Sequence, residues 1–267
     1  MNSSVNAMDA LNRDTMRGAT DEYSAIVSEG LNSQERAALE LAVAGRRGLR
    51  VLDLGVGAGR TVTPLLELAS TYVGVDYIQE MVDRCRERFP GVRFERMDAR
   101  SLTDFRDGEF DLVFFSCNGI SMVNHEGRLA ILSEVRRVLA PDGGFVFSTP
   151  NRNSPQYAAR FRLPGFESSS NPVKLGIRLV KHLGLIAFRA FNRVRYIRHE
   201  ERYADYAIIN DVCHHYQTML YFISIESQRR QLEAAGFDKN IVVHDRAGRV
   251  VTGDSRDGTI AFTTKRA

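Results

Sequence analysis

Short apolar runs alternate with amphipathic stretches through the first half of the chain. The runs are the signal of buried strands, and apolar residues three or four positions apart are the signal of helices. Strands are predicted at residues 51–54, 71–76, 92–99, 110–115 and 145–148, and helices at residues 60–69, 79–89 and 126–139. Strands joined by helical crossovers run parallel, so the pattern predicts a doubly wound α/β sheet.

The pattern continues less regularly at both ends of the chain. Beyond the fifth strand, a helix is predicted at residues 224–235 and two strands at 240–245 and 259–264. At the other end, residues 1–19 are polar and poor in large apolar groups, and they are expected to be mobile. Thr20 is a candidate start of a short helix, and Asn32 or Ser33 is a candidate cap for a second one at residues 35–44.

A glycine turn follows the first strand. Residues 55–59 read Gly-Val-Gly-Ala-Gly, directly before a predicted helix. Glycines let the backbone turn sharply and approach a ligand closely, and the free N–H groups of a helix start favour an anionic group. The dinucleotide-binding fingerprint would place its third glycine at position 60, where this chain has Arg60.

Polar residues stand at the carboxyl ends of the other strands. Asp76 ends the second strand, Asp98 lies at the end of the third, and Asn118 follows the fourth. In sheets of this kind, ligands bind at the carboxyl ends of the strands. These three residues and Gly55 therefore indicate one binding site at that edge.

The series of motifs resembles the class I S-adenosylmethionine-dependent methyltransferases over residues 35–150 and, more weakly, 221–267. The matching segments are Leu-Asp-Leu-Gly-Val-Gly-Ala-Gly at 52–59, Gly-Val-Asp at 74–76, Met-Asp-Ala at 97–99, Phe-Asp-Leu-Val at 110–113, and residues 135–144. The resemblance implies a Rossmann-like, seven-stranded, mostly parallel sheet with the last strand antiparallel, plus a helical cap insertion. It also implies S-adenosyl-L-methionine as the cofactor. The expected units are N-terminal helices forming a lid (1–45), the cofactor-binding core (46–150 and 221–267) and a substrate cap (151–220).

The resemblance assigns roles to particular residues. Asp76 is expected to accept hydrogen bonds from the ribose hydroxyls, and Asp98 from the adenine amino group, with the N–H of Ala99 facing a ring nitrogen. Asp53 is expected to fix the glycine loop through backbone N–H groups, and Asn118 to contact the methionine part or the acceptor. Further expected cofactor-binding residues are Gly55, Gly57, Gly59, Tyr77, Ser116 and a lid residue, Tyr23, for which ordinary packing is the alternative. Phe114 and Phe115 are expected in the core.

The insertion carries the candidate acceptor chemistry. A basic amphipathic helix predicted at residues 173–196 has two interpretations: contact with an anionic membrane or acidic partner, or a cap helix with a solvated basic face. His214 and His215 are candidates for the general base, with His215 preferred and His125 next; the alternative is that they bind the cap to the sheet. No histidine pair has convincing metal-ligand spacing with a third ligand, so no metal site is expected.

Composition narrows the function. The net charge is only +3, which argues against a nucleic-acid partner, and three scattered cysteines argue against disulfides. No apolar run approaches a membrane span and no signal peptide is evident, so a soluble cytoplasmic protein is expected. The expected function is methyl transfer to an O or N of a small molecule. The alternatives are an RNA or protein methyltransferase and a non-catalytic S-adenosylmethionine-binding regulatory protein.

Overall fold

The computed structural model describes residues 3–159 and 161–267. Its strands form two sheets. The strands are β1 (Leu49–Leu54), β2 (Ala69–Asp76), β3 (Arg93–Arg96), β4 (Phe110–Phe115), β5 (Leu139–Pro150), β6 (Glu201–Arg202), β7 (Tyr206–Asp211), β8 (Thr218–Ile223), β9 (Val242–His244) and β10 (Thr259–Lys265). The large sheet has the order β3-β2-β1-β4-β5-β10-β9, and the small sheet the order β6-β7-β8.

Helices cover the large sheet and extend beyond it. They are α1 (Ser3–Gly18), α2 (Thr20–Ala25), α3 (Ser33–Val43), α4 (Val62–Leu66), α5 (Gln79–Arg88), α6 (His125–Val138), α7 (Pro155–Ala158), α8 (Pro172–Tyr196) and α9 (Ile225–Ala234). Short 3-10 segments lie at Val27–Glu29, Gly119–Ser121, Ile197–His199 and Cys213–Tyr216. Asn32 caps α3 through a reciprocal capping box with Glu35, which settles the choice between Asn32 and Ser33.

The seven-stranded sheet confirms the predicted fold class. Strands β1 to β5 pair in parallel, and β10 runs antiparallel to both β5 and β9. Successive side chains of a strand point to opposite faces of the sheet, and buried apolar residues lie on both faces. In β4, Leu112 and Phe114 pack into one layer of the core, while Val113 and Phe115 pack into the other. Phe114 and Phe115 are therefore core residues, as expected.

The insertion is not purely helical, in contrast to the expectation. Residues 201–223 form the small antiparallel sheet, in which β7 and β8 pair over six residues. Strand β8 crosses the boundary expected at residue 220, and Ile223 forms a bridge to Asn151 at the end of β5. Alternating apolar residues in β7 and β8 are buried on both faces, which explains why the short strands form. Among the described residues, no helix has the length and apolar character needed to cross a membrane.

The N-terminal segment, expected to be mobile, is helical over residues 3–18; residues 1–2 lie outside the described part of the chain. Helix α1 occupies most of this segment, and the side chain of Asn12 is buried. The Asn12 amide donates to the carbonyl oxygens of Met122 and Met219, at 2.8 and 2.9 Å, and accepts from the N–H of Met219. These three hydrogen bonds hold α1 across the carboxyl edge of the large sheet. We refer to α1 and α2 together as the lid.

Candidate functional site

A cavity of about 950 Å³, measured to its open mouth, lies at the carboxyl ends of β1, β2 and β4. The sequence-predicted residues that line it are Gly55, Gly57, Asp76, Tyr77, Asp98, Ala99, Ser116 and Tyr23. Three further lining residues, Asp9, Arg13 and Met16, come from α1. The cavity therefore lies between the sheet edge and the lid.

The glycine turn forms one wall of the cavity. Gly57 has a φ of +55°, a conformation that costs other residues about 1–2 kcal/mol. A Cβ atom added at Gly57 would meet no protein atom within 4 Å, so it would point into open space. The Gly57 N–H donates to Oδ2 of Asp76 at 3.0 Å. The turn thus leaves room for a ligand directly beside a buried carboxylate.

Asp76 is buried at the end of β2. Its Oδ1 accepts from the N–H of Ile78 at 2.9 Å, in addition to the bond from Gly57. Burial raises the pKa of Asp76 to about 6, and the backbone hydrogen bonds offset this only in part. An ionised carboxylate has about four acceptor positions, and the backbone donors of Gly57, Tyr77 and Ile78 do not fill them all. Paired hydroxyl groups of a ligand would supply further donors.

Asp98 lies at the other side of the cavity and is held by Arg100. The guanidinium donates to Oδ1 and Oδ2 of Asp98, at 3.0 and 2.7 Å, and also contacts Asp9 of the lid. Burial alone would raise the pKa of Asp98, but the hydrogen bonds from Arg100 outweigh it and keep the pKa below its usual value. The carboxylate therefore stays ionised, and Oδ2 can still accept from a ligand amino group.

Two residues of the first strand and turn do not line the cavity. Asp53 was expected to bind backbone N–H groups of the glycine loop, but its Oδ2 accepts from the hydroxyls of Thr61 and Tyr72. The carboxylate therefore ties β1 to the start of α4 and to β2 through side-chain hydroxyls. Gly59 was expected to bind the cofactor; a Cβ there would lie 2.6 Å from the ring of Phe89. The absence of a side chain at position 59 therefore leaves room for Phe89, which follows α5.

Asn118 also differs from the expectation. Residues Cys117 and Asn118 both have positive φ, so the chain turns sharply after β4. The Asn118 N–H donates to the hydroxyl of Ser148, and its amide nitrogen lies 3.4 Å from the hydroxyl of Thr259. The side chain of Asn118 is absent from the cavity wall among the described residues, and Cys117 lines the cavity in its place.

The candidate bases lie outside the cavity wall, and one of them reaches it indirectly. Nε2 of His214 lies 3.3 Å from Oη of Tyr23, and Nδ1 lies 3.6 Å from a carboxylate oxygen of Glu22. His215 points elsewhere: Nε of Arg189 lies 3.3 Å from its Nδ1. Both histidines have positive φ. His214 is therefore the better placed of the two to reach the cavity, through Tyr23.

The third candidate, His125, belongs to an aromatic stack. Its ring lies 4.2 Å from that of Tyr206, and Nδ1 lies 2.8 Å from Oη of Tyr221. Within the described residues, residues 151–220 contribute nothing to the cavity wall. The insertion approaches the cavity through its contacts with the lid and through Met122, which lines the cavity and packs on Ala207, Ile209 and Leu220. That the insertion covers an acceptor stays a prediction.

Sequence reasoning missed the lid contacts and the role of Arg60. The guanidinium of Arg60 donates to both carboxylate oxygens of Glu35, at 2.7 and 2.8 Å, and lies 2.9 Å from Sγ of Cys117. This pair ties α3, the glycine turn and the turn after β4 together. Arg60 occupies the position at which the dinucleotide fingerprint has glycine. This departure from the fingerprint was the sequence signal that could have indicated a separate role for Arg60. A polar N-terminal segment gave no comparable signal for α1.

A doubly wound sheet with a glycine turn and carboxylates at its carboxyl edge defines a protein that binds a nucleoside-containing cofactor. The model of a methyltransferase domain family matches residues 51–143. The demethylmenaquinone methyltransferase of Beutenbergia cavernae is 36% identical over 47% of this chain and 52% of that protein. The phosphatidylethanolamine N-methyltransferase of Cereibacter sphaeroides is 34% identical over 52% of this chain and 67% of that protein.

Solved structures show the same fold. The 1,6-didemethyltoxoflavin-N1-methyltransferase of Burkholderia thailandensis, with its substrate and S-adenosylhomocysteine bound, aligns with a TM-score of 0.59 at 15% identity. The alignment covers all of this chain and 92% of that one. The chain belongs to the class I S-adenosylmethionine-dependent methyltransferases. It spans about half the length of the first curated relatives that it matches.

The residues present fit the cofactor of this family. The open space at Gly57 and the free acceptor positions of buried Asp76 suit a ribose beside a close backbone approach. Asp98 and Ala99 line the side of the cavity where the resemblance places the adenine, and Ser116 and Cys117 lie at the end of β4, where the amino-acid part would be held. Tyr23 closes this region from the lid.

We predict that Gly57→Val abolishes binding of S-adenosylhomocysteine while the protein remains folded, because the side chain fills ligand space. Gly45→Val is the matched control: Gly45 also has positive φ and open space around its Cβ position, but it is exposed on the turn after α3. Both variants carry a similar backbone strain. Isothermal titration calorimetry with each folded variant makes the measurement, and normal affinity in Gly57→Val would contradict the assignment.

We predict that cofactor affinity falls with decreasing pH below about 6. The buried carboxylate of Asp76, with a pKa of about 6, binds hydroxyl donors best when ionised. Protonation from pH 7.5 to pH 5 leaves about a tenth of the carboxylates ionised, so we expect about a tenfold loss of affinity. The Asp76→Asn variant should bind weakly at both pH values and show little pH dependence. A wild-type affinity that is constant over this range would remove Asp76 from the site.

Proposed function

We propose that this chain transfers a methyl group from S-adenosylmethionine to an oxygen or nitrogen of a small-molecule acceptor. The observation that carries the proposal is the single cavity in which Gly57, Asp76 and Asp98 face a lid that presents Tyr23. Relatives named as demethylmenaquinone methyltransferase, ubiquinone biosynthesis O-methyltransferase and phosphatidylethanolamine N-methyltransferase support a small acceptor.

The chain supplies position and exclusion of water. When bound, the cofactor's sulfonium supplies an electrophilic methyl carbon. Asp76 and the Gly57 turn fix the nucleoside, and the lid removes the reacting region from bulk water. Orientation of this kind accounts for a large part of the acceleration in reactions between two bound molecules. The lid residue Met16 and the core residue Phe115 give the cavity an apolar surface.

Tyr23 and His214 provide a route for the acceptor's proton. Tyr23 lines the cavity, and its Oη faces Nε2 of His214, so the hydroxyl can take a proton on one side and donate one on the other. Burial raises the pKa of Tyr23 well above its usual value, which keeps the phenol protonated before the transfer. Glu22 beside Nδ1 of His214 favours the tautomer that leaves Nε2 as the acceptor.

The other functional classes have less support. An RNA or protein methyltransferase was suggested by the basic insertion, but the exposed face of α8 is largely apolar. A non-catalytic binding protein would not need a tyrosine and a histidine aligned beside the cofactor region. The two classes are separated by product formation, since only an enzyme releases S-adenosylhomocysteine as acceptor is consumed.

The test is a methyl-transfer assay with labelled S-adenosylmethionine. We expect acceptor-dependent release of S-adenosylhomocysteine and a labelled product with at least one member of a panel of quinols, phenols and amines. The Gly57→Val variant is the negative control. If the cofactor binds and no member of a broad panel is methylated, while a purified RNA or protein pool is, the small-molecule proposal is wrong.

We predict that Tyr23→Phe lowers turnover by about 10²–10⁴-fold, the usual contribution of a proton-transfer group, with cofactor affinity retained. His214→Ala should lower turnover through the same step. His215→Ala is the control, because its ring faces Arg189 and should leave turnover near normal. Rates at saturating cofactor across pH make the measurement. Full turnover in Tyr23→Phe would show that the proton takes another path.

A further inference from the structure

The exposed apolar surface of the protein is concentrated in one segment. Of the seventeen large apolar side chains that are exposed among the described residues, thirteen lie between Phe161 and Ile197. Most of them belong to α8. Single exposed apolar residues are normal on a protein surface, but a contiguous group marks a contact with something else.

Five exposed apolar residues of α8 share one face. Val173, Ile177, Val180, Phe191 and Val194 are separated by multiples of a helical turn, so their side chains lie in one row. The exposed fraction of Val173, Val180 and Val194 is 70–75%, which means that these side chains touch almost nothing. The row therefore points away from the body of the protein.

The opposite face of α8 makes the contacts that hold the helix. Asn192 is buried and donates to the carbonyl oxygen of His215 at 3.0 Å. Arg193 is buried and pairs with Glu200. Toward its N-terminus, by contrast, residues 172–181 are exposed on all sides. The helix is thus anchored by its C-terminal half and presents its apolar row along its whole length.

Cations border the apolar row. Residues 172–196 contain six Lys and Arg residues and no Asp or Glu. Lys174 and Lys181, one and eight positions after Val173, lie together along one edge of the row, and Arg195 lies near them at the C-terminal end. An apolar row with a cationic edge matches a surface that is apolar inside and negatively charged outside.

We propose that α8 docks on the surface of an anionic lipid bilayer, with its apolar row in the acyl boundary and its lysines at the headgroups. Amphipathic helices with an apolar face and a cationic edge bind in this way, and each Lys or Arg near the surface adds to the attraction. A second copy of this chain is a poorer occupant, because a symmetric contact would bring the two cationic edges together. The proposal does not depend on methyl transfer.

The test is co-sedimentation of the full-length protein with lipid vesicles. One set of vesicles is phosphatidylcholine alone, and the other is three parts phosphatidylcholine to one part phosphatidylglycerol. We expect binding to the anionic vesicles that is about tenfold or more stronger than to the neutral ones, and that weakens with added salt. The contributions of the lysines and of the apolar row to vesicle binding are then tested separately, each with a double variant and a matched control.

The apolar pair is Val180→Asp with Phe191→Asp, and its control is Leu129→Asp with Val250→Asp, two exposed apolar residues outside the insertion. The charge pair is Lys174→Glu with Lys181→Glu, and its control is Lys239→Glu with Lys265→Glu. We expect both α8 variants to lose about tenfold or more in vesicle binding and both controls to bind as the wild type does. Absence of binding, or equal binding by the α8 variants, would overturn the proposal. A concentration-dependent dimer in analytical ultracentrifugation, lost in the apolar pair and without vesicle binding, would assign the face to a second copy instead.

Discussion

The hydrogen bond from the Gly57 N–H to the buried carboxylate of Asp76 is the interaction on which the site depends. It joins the turn after β1 to the end of β2, so the backbone of one strand and the side chain of the next are fixed relative to each other. Because parallel strands end at a common edge, the residues after β3 and β4 fall beside this pair without further adjustment. The cost is a carboxylate whose burial disfavours its charged form. A ligand with paired hydroxyls offsets that cost.

Much of the fold was predictable because strong local signals agreed with the tertiary arrangement. One parallel sheet was predicted by three agreeing signals: five apolar runs, the capped helices and the acids at strand ends. The structure brings Asp76, Asp98 and Tyr23 together in one cavity. The errors have identifiable causes. Helix α1 has a polar sequence, which gave no sign that the helix packs on the sheet. Its Asn12 binds backbone groups of other elements, and no local sequence pattern reveals such partners.

Backbone conformation accounts for the errors within the site. Positive φ values at Cys117 and Asn118, and at His214 and His215, turn neighbouring side chains in directions that periodicity does not give. Asp53 lies in a regular strand. The prediction gave its carboxylate backbone N–H partners in the glycine loop, whereas it accepts from side-chain hydroxyls. For α8, the spacing predicted an amphipathic helix. The same spacing is found in a helix that buries its apolar face and in a helix that exposes it. Only the contacts of Asn192 and Arg193 show which face is held.

The three hydrogen bonds of Asn12 also bear on how fast the protein can work. They connect α1 to the turn after β4 and to β8, and the pairs Arg100–Asp9 and Arg17–Glu80 add charged contacts along the same helix. These contacts hold one helix to several separate parts of the fold. Lid motions of this kind take microseconds to milliseconds in enzymes generally. A ligand that enters or leaves past α1 therefore does so only after these contacts break.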